Sequence, residues 1–261
     1  MADVRTACER GLAFVETSGS DLDVWLARAL LANSPPKESE LPEPVIRCSE
    51  AYADSGTSPL HRSDLDDTLR VVGALDDARG LHLDPARSIC VGLESSQATD
   101  GSWGSVECGE DARIFATGML AGHFAKTRYA RASMLDCAAE FLAARFTPDR
   151  VQGGAWDGIA AYSHLFANFP HEEADAILQW TGRELERGFR SGRFDAVRTA
   201  RVIVYCDAPS VPGARLGATE VREQLIGEQQ ADGGWLSLAD PSPEARVRHT
   251  CDALAALNRL G

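Results

Sequence analysis

Apolar residues recur along the chain at intervals of three and four, which is the period of an amphipathic helix. Between these segments lie loops that contain Gly, Pro or Asp, which are typical helix breakers. No alternating β run of useful length occurs, since the strongest apolar stretch, residues 202–205, continues a helical pattern that begins at Ala196. The pattern predicts an all-α protein with twelve helices, at residues 3–17, 21–33, 45–54, 64–77, 85–97, 110–126, 130–146, 157–169, 172–188, 194–207, 215–230 and 246–260.

Two loops between predicted helices repeat one another. Each places a Gln, an Asp-Gly pair and a Trp at the same offsets, from Gln97 to Trp103 and from Gln229 to Trp235. Gly after Asp permits a tight turn, the indole can pack over a helix end, and the Gln amide can hold the backbone ends together. Weaker copies follow Gly153 and Gly192.

Repetition at this spacing predicts stacked helical hairpins. Six hairpins would close an α/α barrel (toroid) with alternate helices inside, namely those at 64–77, 110–126, 157–169, 194–207 and 246–260. We expect a single domain over residues 1–261, in which 1–60 supply N-terminal helices and 61–261 supply the repeats.

Charge and composition exclude several classes of function. A net charge of -13 disfavours nucleic-acid binding, because a phosphate backbone needs a basic face. No stretch is apolar enough for a membrane span or a secretory signal. The seven cysteines are an odd number and are widely spread, which indicates reduced thiols in a cytoplasmic protein.

The acidic stretch at residues 63–70 is the strongest candidate for chemistry. Asp64, Asp66 and Asp67 place three carboxylates at the start of an apolar helix. The helix N-terminus can stabilise one or two of them, so we expect one to have a raised pKa and to act as a Brønsted acid. The alternative is an acidic capping turn on a solvated helix.

In a barrel, the polar N-terminal ends of the five inner helices would meet at one mouth. The residues at these ends are Asp64, Asp66, Asp67, Glu110, Asp111, Trp156, Asp157, Arg193, Asp195, Arg198, Arg248 and His249.

Together the motifs resemble those of class II terpene cyclases. The Gln-x-x-Asp-Gly-x-Trp loops resemble the QW motifs of squalene-hopene, oxidosqualene and class II diterpene cyclases, which share a fold with protein prenyltransferase β subunits. Residues 63–68, Ser-Asp-Leu-Asp-Asp-Thr, resemble the Asp-x-Asp-Asp-Thr acid motif of these cyclases, in the same order ahead of a QW loop. The resemblance covers residues 60–261.

The resemblance implies that Asp66 protonates an isoprenoid alkene, with a prenyl diphosphate as the favoured substrate. Asp64 and Asp67 would tune this acid, and His249 would orient Asp66 or accept a proton at the end. The protonation needs no cofactor and no metal ligands are expected, although Mg²⁺ is an option if the substrate carries a diphosphate.

A carbocation needs aromatic faces, and a diphosphate needs cationic groups. The candidate substrate-binding residues are Trp103, Phe115, Trp156, Asp157, Tyr162, Arg193, Arg198 and Arg248. Trp103 and Trp235 are equally suited to locking their own loops.

The chain also departs from the class II pattern. These cyclases bind substrate between two helical domains, and 261 residues leave room for one. A partner chain or a second copy would then cover the barrel mouth, unless the substrate is small.

Two alternatives stay open. Residues 248–251 and Asp157-Gly158 resemble the zinc-ligand segments of prenyltransferase β subunits, but Ile159 stands where those proteins have the Cys ligand. The other alternative is a non-catalytic subunit or binding module with the same fold.

Overall fold

A computed structural model describes residues 3–32, 34–54 and 62–260, with the side chains of residues 54 and 62–64 excepted. Within these ranges the chain forms twelve α-helices and three short 3-10 helices, and no strand. The predicted all-α class is therefore confirmed. The α-helices are α1 (Val4–Ser18), α2 (Asp21–Ala32), α3 (Glu43–Asp54), α4 (Arg62–Asp77), α5 (Asp84–Ser96), α6 (Glu110–Ala125), α7 (Ala132–Ala143), α8 (Trp156–Asn168), α9 (Ala174–Arg190), α10 (Ala196–Tyr205), α11 (Ala218–Gly227) and α12 (Pro243–Leu260). The 3-10 helices are Glu38–Glu40, Val106–Cys108 and Pro148–Arg150.

The even-numbered helices contact one another in a closed cycle. Contacts run from α2 to α4, α6, α8, α10 and α12, and from α12 back to α2. Most odd-numbered helices lie against two members of this ring, as α1 does against α12 and α2, while α5 packs chiefly on α3. Five ring helices are the predicted inner ones, and α2 is the sixth.

The closest contact in the ring joins α6 to α8, where glycines let the two backbones approach. Gly118 faces the backbone of Ala161, and Gly122 lies directly against the imidazole of His164. A Cβ atom at either glycine would fall inside van der Waals contact with these neighbours. The small residues therefore set the spacing of the two helices.

The first repeated loop ties three helices together through side-chain hydrogen bonds. Gln97 Nε2 donates to the carbonyls of Gly101 and Met134, at 2.9 and 3.0 Å. The indole Nε1 of Trp103 donates to the Leu93 carbonyl at 2.8 Å, and its ring is fully buried. Trp103 therefore has the environment that a structural lock requires.

The second loop repeats this arrangement at the other end of the chain. Trp235 Nε1 donates to the Leu225 carbonyl at 2.7 Å. Gln229 Nε2 donates within its own loop and to the carbonyl of Ala7, both at 2.9 Å. Because Ala7 lies in α1, this loop joins the first helix to the end of α11 and closes the ring.

Two further observations concern the chain as a whole. Among the described helices, none combines the length and apolar character needed to cross a lipid bilayer. All seven cysteines are free thiols.

The glycine contact between α6 and α8 gives a stability prediction. Gly122→Ala should lower the free energy of unfolding by about 1–3 kcal/mol, because the added methyl group overpacks the His164 ring. Gly227→Ala is the matched control, since a Cβ at that helical position would meet no described atom within 4 Å beyond its chain neighbours and its own helix backbone. We expect the control to be neutral or up to about 1 kcal/mol more stable. Urea denaturation measures both, and equal effects would contradict the packing argument.

Candidate functional site

The start of α4 turns its acidic residues away from the core. Leu65 and Thr68 are buried, at 5% and 2% exposure, whereas Asp66 and Asp67 are exposed. Asp66 and Asp67 are therefore not desolvated against the core. The side chain of Asp64 lies outside the described residues.

Asp66 nevertheless lies on the face of α4 that points into the ring. At 100° per residue, positions 66, 73 and 77 form one stripe along the helix. Asp77 reaches from that stripe to α10, where its Oδ1 lies 2.7 Å from Arg201 Nη1. Asp66 therefore occupies the outer end of an interior stripe.

Three predicted substrate-binding residues come together at the N-terminal ends of α6, α8 and α10. The ring centroids of Phe115 and Trp156 are 6.5 Å apart. The guanidinium of Arg198 lies 5.2 Å from the Trp156 ring, and the indole Nε1 donates to the Arg198 carbonyl at 3.1 Å. All three side chains are half-buried, so part of each stays accessible to solvent. We call the surface formed by Phe115 and Trp156, with the guanidinium of Arg198 beside it, the aromatic wall.

His249 pairs with Asp195 in the same region. Its Nε2 lies 3.4 Å from Asp195 Oδ1, and both residues are 7% exposed. Asp195 also caps α10, since Oδ1 accepts from the Arg198 backbone N–H at 2.7 Å. Burial alone would raise the pKa of Asp195, but His249 and this N–H outweigh it and hold the pKa below its ordinary value.

Other predicted site residues take different positions. Asp157, Arg193 and Arg248 are exposed. Tyr162 is fully buried, with its ring edge-on to Phe146, and its hydroxyl has no hydrogen-bond partner in the described part of the chain. Tyr162 therefore lies in packed side chains, and the accessible wall consists of the half-buried aromatic pair described above.

An interior charge network was not predicted from the sequence. Arg201 bridges two carboxylates, with Nη1 2.7 Å from Asp77 Oδ1 and Nε 3.0 Å from Asp252 Oδ1. Arg201 and Asp77 are almost fully buried, whereas 38% of the Asp252 side chain stays accessible. The one sequence signal for Asp252 is its place as an isolated acid before the apolar run 253–257.

Asp252 has a raised pKa, which is the property that the sequence predicts for one carboxyl at the start of α4. Burial raises its pKa, and the nearby charges of Asp77 and Asp195 act in the same direction. Arg201 and His249 oppose this shift without cancelling it. The surroundings therefore make the Asp252 carboxyl a weaker acid than an ordinary Asp side chain.

A second polar cluster lies near the C-terminal ends of α4, α6 and α8. Asp76 Oδ2 is 2.8 Å from His123 Nδ1 and 2.9 Å from Lys126 Nζ, and His164 packs beside them. Burial alone would raise the pKa of Asp76, but His123 and Lys126 lower it far below its usual range.

Searches for related proteins do not add a family to these observations. A scan against protein-family models, a search of curated proteins and a search of solved structures each found no match.

The raised pKa of Asp252 predicts a pH-dependent stability difference. A carboxyl whose pKa is higher in the folded state favours folding most below its unfolded pKa of about 3.9. This contribution is lost as the pH rises through the folded pKa. Asp252→Asn should therefore gain stability relative to wild type as the pH increases towards 7.

Denaturation of both proteins across this pH range tests the prediction. The exposed Asp175 on α9 supplies a control, Asp175→Asn, for which we expect a much smaller change with pH. A difference between wild type and Asp252→Asn that is constant with pH would contradict a raised pKa.

Proposed function

We propose that the ring of helices is an α/α barrel and that the protein is a class II terpene cyclase. Its substrate is an isoprenoid alkene, and Asp66 is the general acid. The observation that carries the proposal is the position of Asp66 at the outer end of the interior stripe of α4, on the acid motif itself. A proton donor at that position faces a substrate that enters the ring.

The reaction begins with transfer of the Asp66 proton to one alkene carbon. The π electron pair forms the new C–H bond, the neighbouring carbon becomes cationic, and the carboxyl becomes a carboxylate. A second alkene of the same molecule then attacks the cation and closes a ring, and loss of a proton ends the sequence. No atom is added or removed overall, so the product is an isomer of the substrate.

The aromatic wall suits the cationic stage of this reaction. The faces of Phe115 and Trp156 carry negative quadrupole charge and attract a cation without reacting with it as a base would. Arg198 beside this wall is the favoured contact for a diphosphate, because its guanidinium can bind phosphate bidentately. Arg193 and Arg248 are exposed, and are further candidates at the barrel mouth.

The exposure of Asp66 requires a cover over the barrel mouth during catalysis. An alkene is a weak base, so water at an open acid would compete for the proton and would quench the cation. We propose that a second copy of the chain or a partner domain supplies this cover. The same exposure also favours the second candidate, a binding module without activity of its own.

The prenyltransferase alternative has less support. His249 contacts the carboxylate of Asp195, and Asp157 is exposed on α8. Ile159, at the position of the missing thiolate, is fully buried among apolar residues. These residues do not form a metal-ligand set among the described side chains.

Asp66→Asn should abolish turnover and leave the fold intact, because the amide is nearly isosteric with the carboxyl but cannot donate the proton. Purified protein is incubated with geranyl, farnesyl and geranylgeranyl diphosphates and squalene, with and without Mg²⁺. Mass spectrometry then detects isomeric cyclic products. A product that retains its diphosphate would establish protonation as the first step.

Asp136→Asn is the matched control, since Asp136 is an exposed carboxylate on the outer helix α7. We expect wild-type turnover from this variant and an unchanged circular dichroism spectrum from both. Turnover by Asp66→Asn at the wild-type rate would exclude Asp66 as the acid, and the assignment with it.

The need for a cover predicts that activity depends on association. Light scattering combined with the turnover assay should show a dimer or larger species under active conditions, or activity only after a partner is added. Specific activity should fall on dilution through the dissociation range. A monomer that is fully active alone would remove the proposed cover while leaving the role of Asp66 intact.

A further inference from the structure

The buried cluster at the C-terminal ends of the ring helices contains three side chains with metal-ligand chemistry. Asp76 lies in α4, His123 in α6 and His164 in α8, and all three are buried, at 8%, 2% and 0% exposure. One potential donor atom from each falls within 4.8 Å of the other two. The two imidazoles meet edge to face, with ring centroids 4.3 Å apart.

His164 is the unusual member, because neither of its ring nitrogens has a hydrogen-bond partner among the described residues. A buried polar group without a partner costs about 1–3 kcal/mol. The structure nevertheless makes room for this ring, since Gly122 leaves space for it and Tyr205 stacks on it at 4.7 Å. The His164 imidazole thus keeps a nitrogen lone pair available to a ligand, and its burial lowers the stability of the folded protein.

The surroundings favour a cation at this place. Three helices end here, and the carbonyl groups at helix C-termini carry partial negative charge. Asp76 offers a carboxylate oxygen, and His123 and His164 each offer an imidazole nitrogen, within 4.8 Å of one another.

We propose that Asp76, His123 and His164 bind a first-row divalent transition metal, with Zn²⁺ as the representative ion. Two imidazoles and one carboxylate are a ligand set that suits Zn²⁺ and Fe²⁺ better than Mg²⁺. Ligand atoms at about 2.0–2.2 Å from one ion lie about 3–3.5 Å apart in a tetrahedral arrangement. The donor atoms, which now lie within 4.8 Å of one another, would have to move closer together to reach this arrangement.

Lys126 occupies part of this site as a competing cation. Its ammonium lies 2.9 Å from the same Asp76 oxygen, at the C-terminal end of α6. The side chain keeps 18% of its surface exposed, so it can turn towards solvent when a metal binds. We therefore expect Lys126 to weaken the site, and its removal to strengthen it.

This site is independent of the proposed cyclase function. It lies at the opposite end of the ring helices from Asp66, and it uses none of the residues assigned to substrate. Metal binding is therefore measurable whether or not the protein turns over a terpenoid.

The first experiment measures Zn²⁺ in the full chain. Protein freed of metal with a chelator is dialysed against micromolar Zn²⁺, and bound metal is quantified by plasma mass spectrometry. We expect one Zn²⁺ per chain. Replacement by Co²⁺ should give the visible absorption of a protein-bound ion, and Mg²⁺ should not compete.

Four variants separate the site from adventitious binding. His164→Phe retains an aromatic ring but removes a ligand nitrogen. It should lower the affinity for Zn²⁺ at least about 100-fold, because losing a ligand costs more than losing a hydrogen bond to a ligand. Asp76→Asn should do the same. His82→Gln, at an exposed histidine, is the control and should bind as wild type does. Lys126→Met should bind Zn²⁺ several times more tightly.

The gain expected for Lys126→Met distinguishes this proposal from a loss of folding, since a misfolded chain would not gain a single tight site. Thermal unfolding of each variant, with and without Zn²⁺, provides the second readout, because a ligand that binds the native state raises the melting temperature. Absence of Zn²⁺ from the wild-type protein would overturn the proposal. Equal Zn²⁺ binding by wild type and His164→Phe would overturn it as well.

Discussion

Two side-chain amides bind backbone carbonyls in the repeated loops and join helices around the closed ring. Gln97 and Gln229 each donate to a carbonyl of their own loop and to one on a neighbouring outer helix. The second of these contacts reaches Ala7 across 222 residues of sequence, and thereby fixes the N-terminal helix against the last loop. The buried indoles secure the same turns, since each donates to the carbonyl ten residues before it. The N-terminal ends of the six ring helices therefore lie on one side of the ring, and their C-terminal ends lie on the other.

The ring interior is energetically unusual because it contains charges. Removing an ion from water costs several kcal/mol, and a nearby opposite charge recovers that energy only with good geometry. Arg201 meets this condition, since one guanidinium serves Asp77 and Asp252 together. Part of the Asp252 side chain stays accessible, whereas Arg201 and Asp77 are buried. The interior therefore combines tightly paired charges with one carboxyl whose pKa is raised.

The sequence predicted the helices and the pairing of the two loops, because both depend on local patterns. Helical periodicity identified all twelve α-helices, and the spacing of Gln, Gly and Trp identified loops whose hydrogen bonds proved to be equivalent. Periodicity could not determine which carboxylate is desolvated. Leu65 and Thr68 occupy the buried face of α4, and Asp66 stays exposed at the open end of the interior stripe. Nor could it reveal the bridge between Asp77 and Arg201, since these residues are 124 positions apart and each looks like an ordinary surface charge.

The two ends of the ring differ in a way that bears on chemistry. At the N-terminal ends of the inner helices, half-buried aromatic rings and exposed acids remain reachable from solvent. At the C-terminal ends, Asp76, His123 and His164 are enclosed, and Lys126 and Arg259 lie over them. Helix dipoles reinforce this difference, because N-termini attract anions such as a diphosphate and C-termini attract cations. Asp66 lies at the end of the ring that suits an anion, because the helix N-termini meet there. The cluster of Asp76, His123 and His164 lies at the opposite end, where helix C-termini suit a cation. The two ends of the same helices therefore favour ligands of opposite charge.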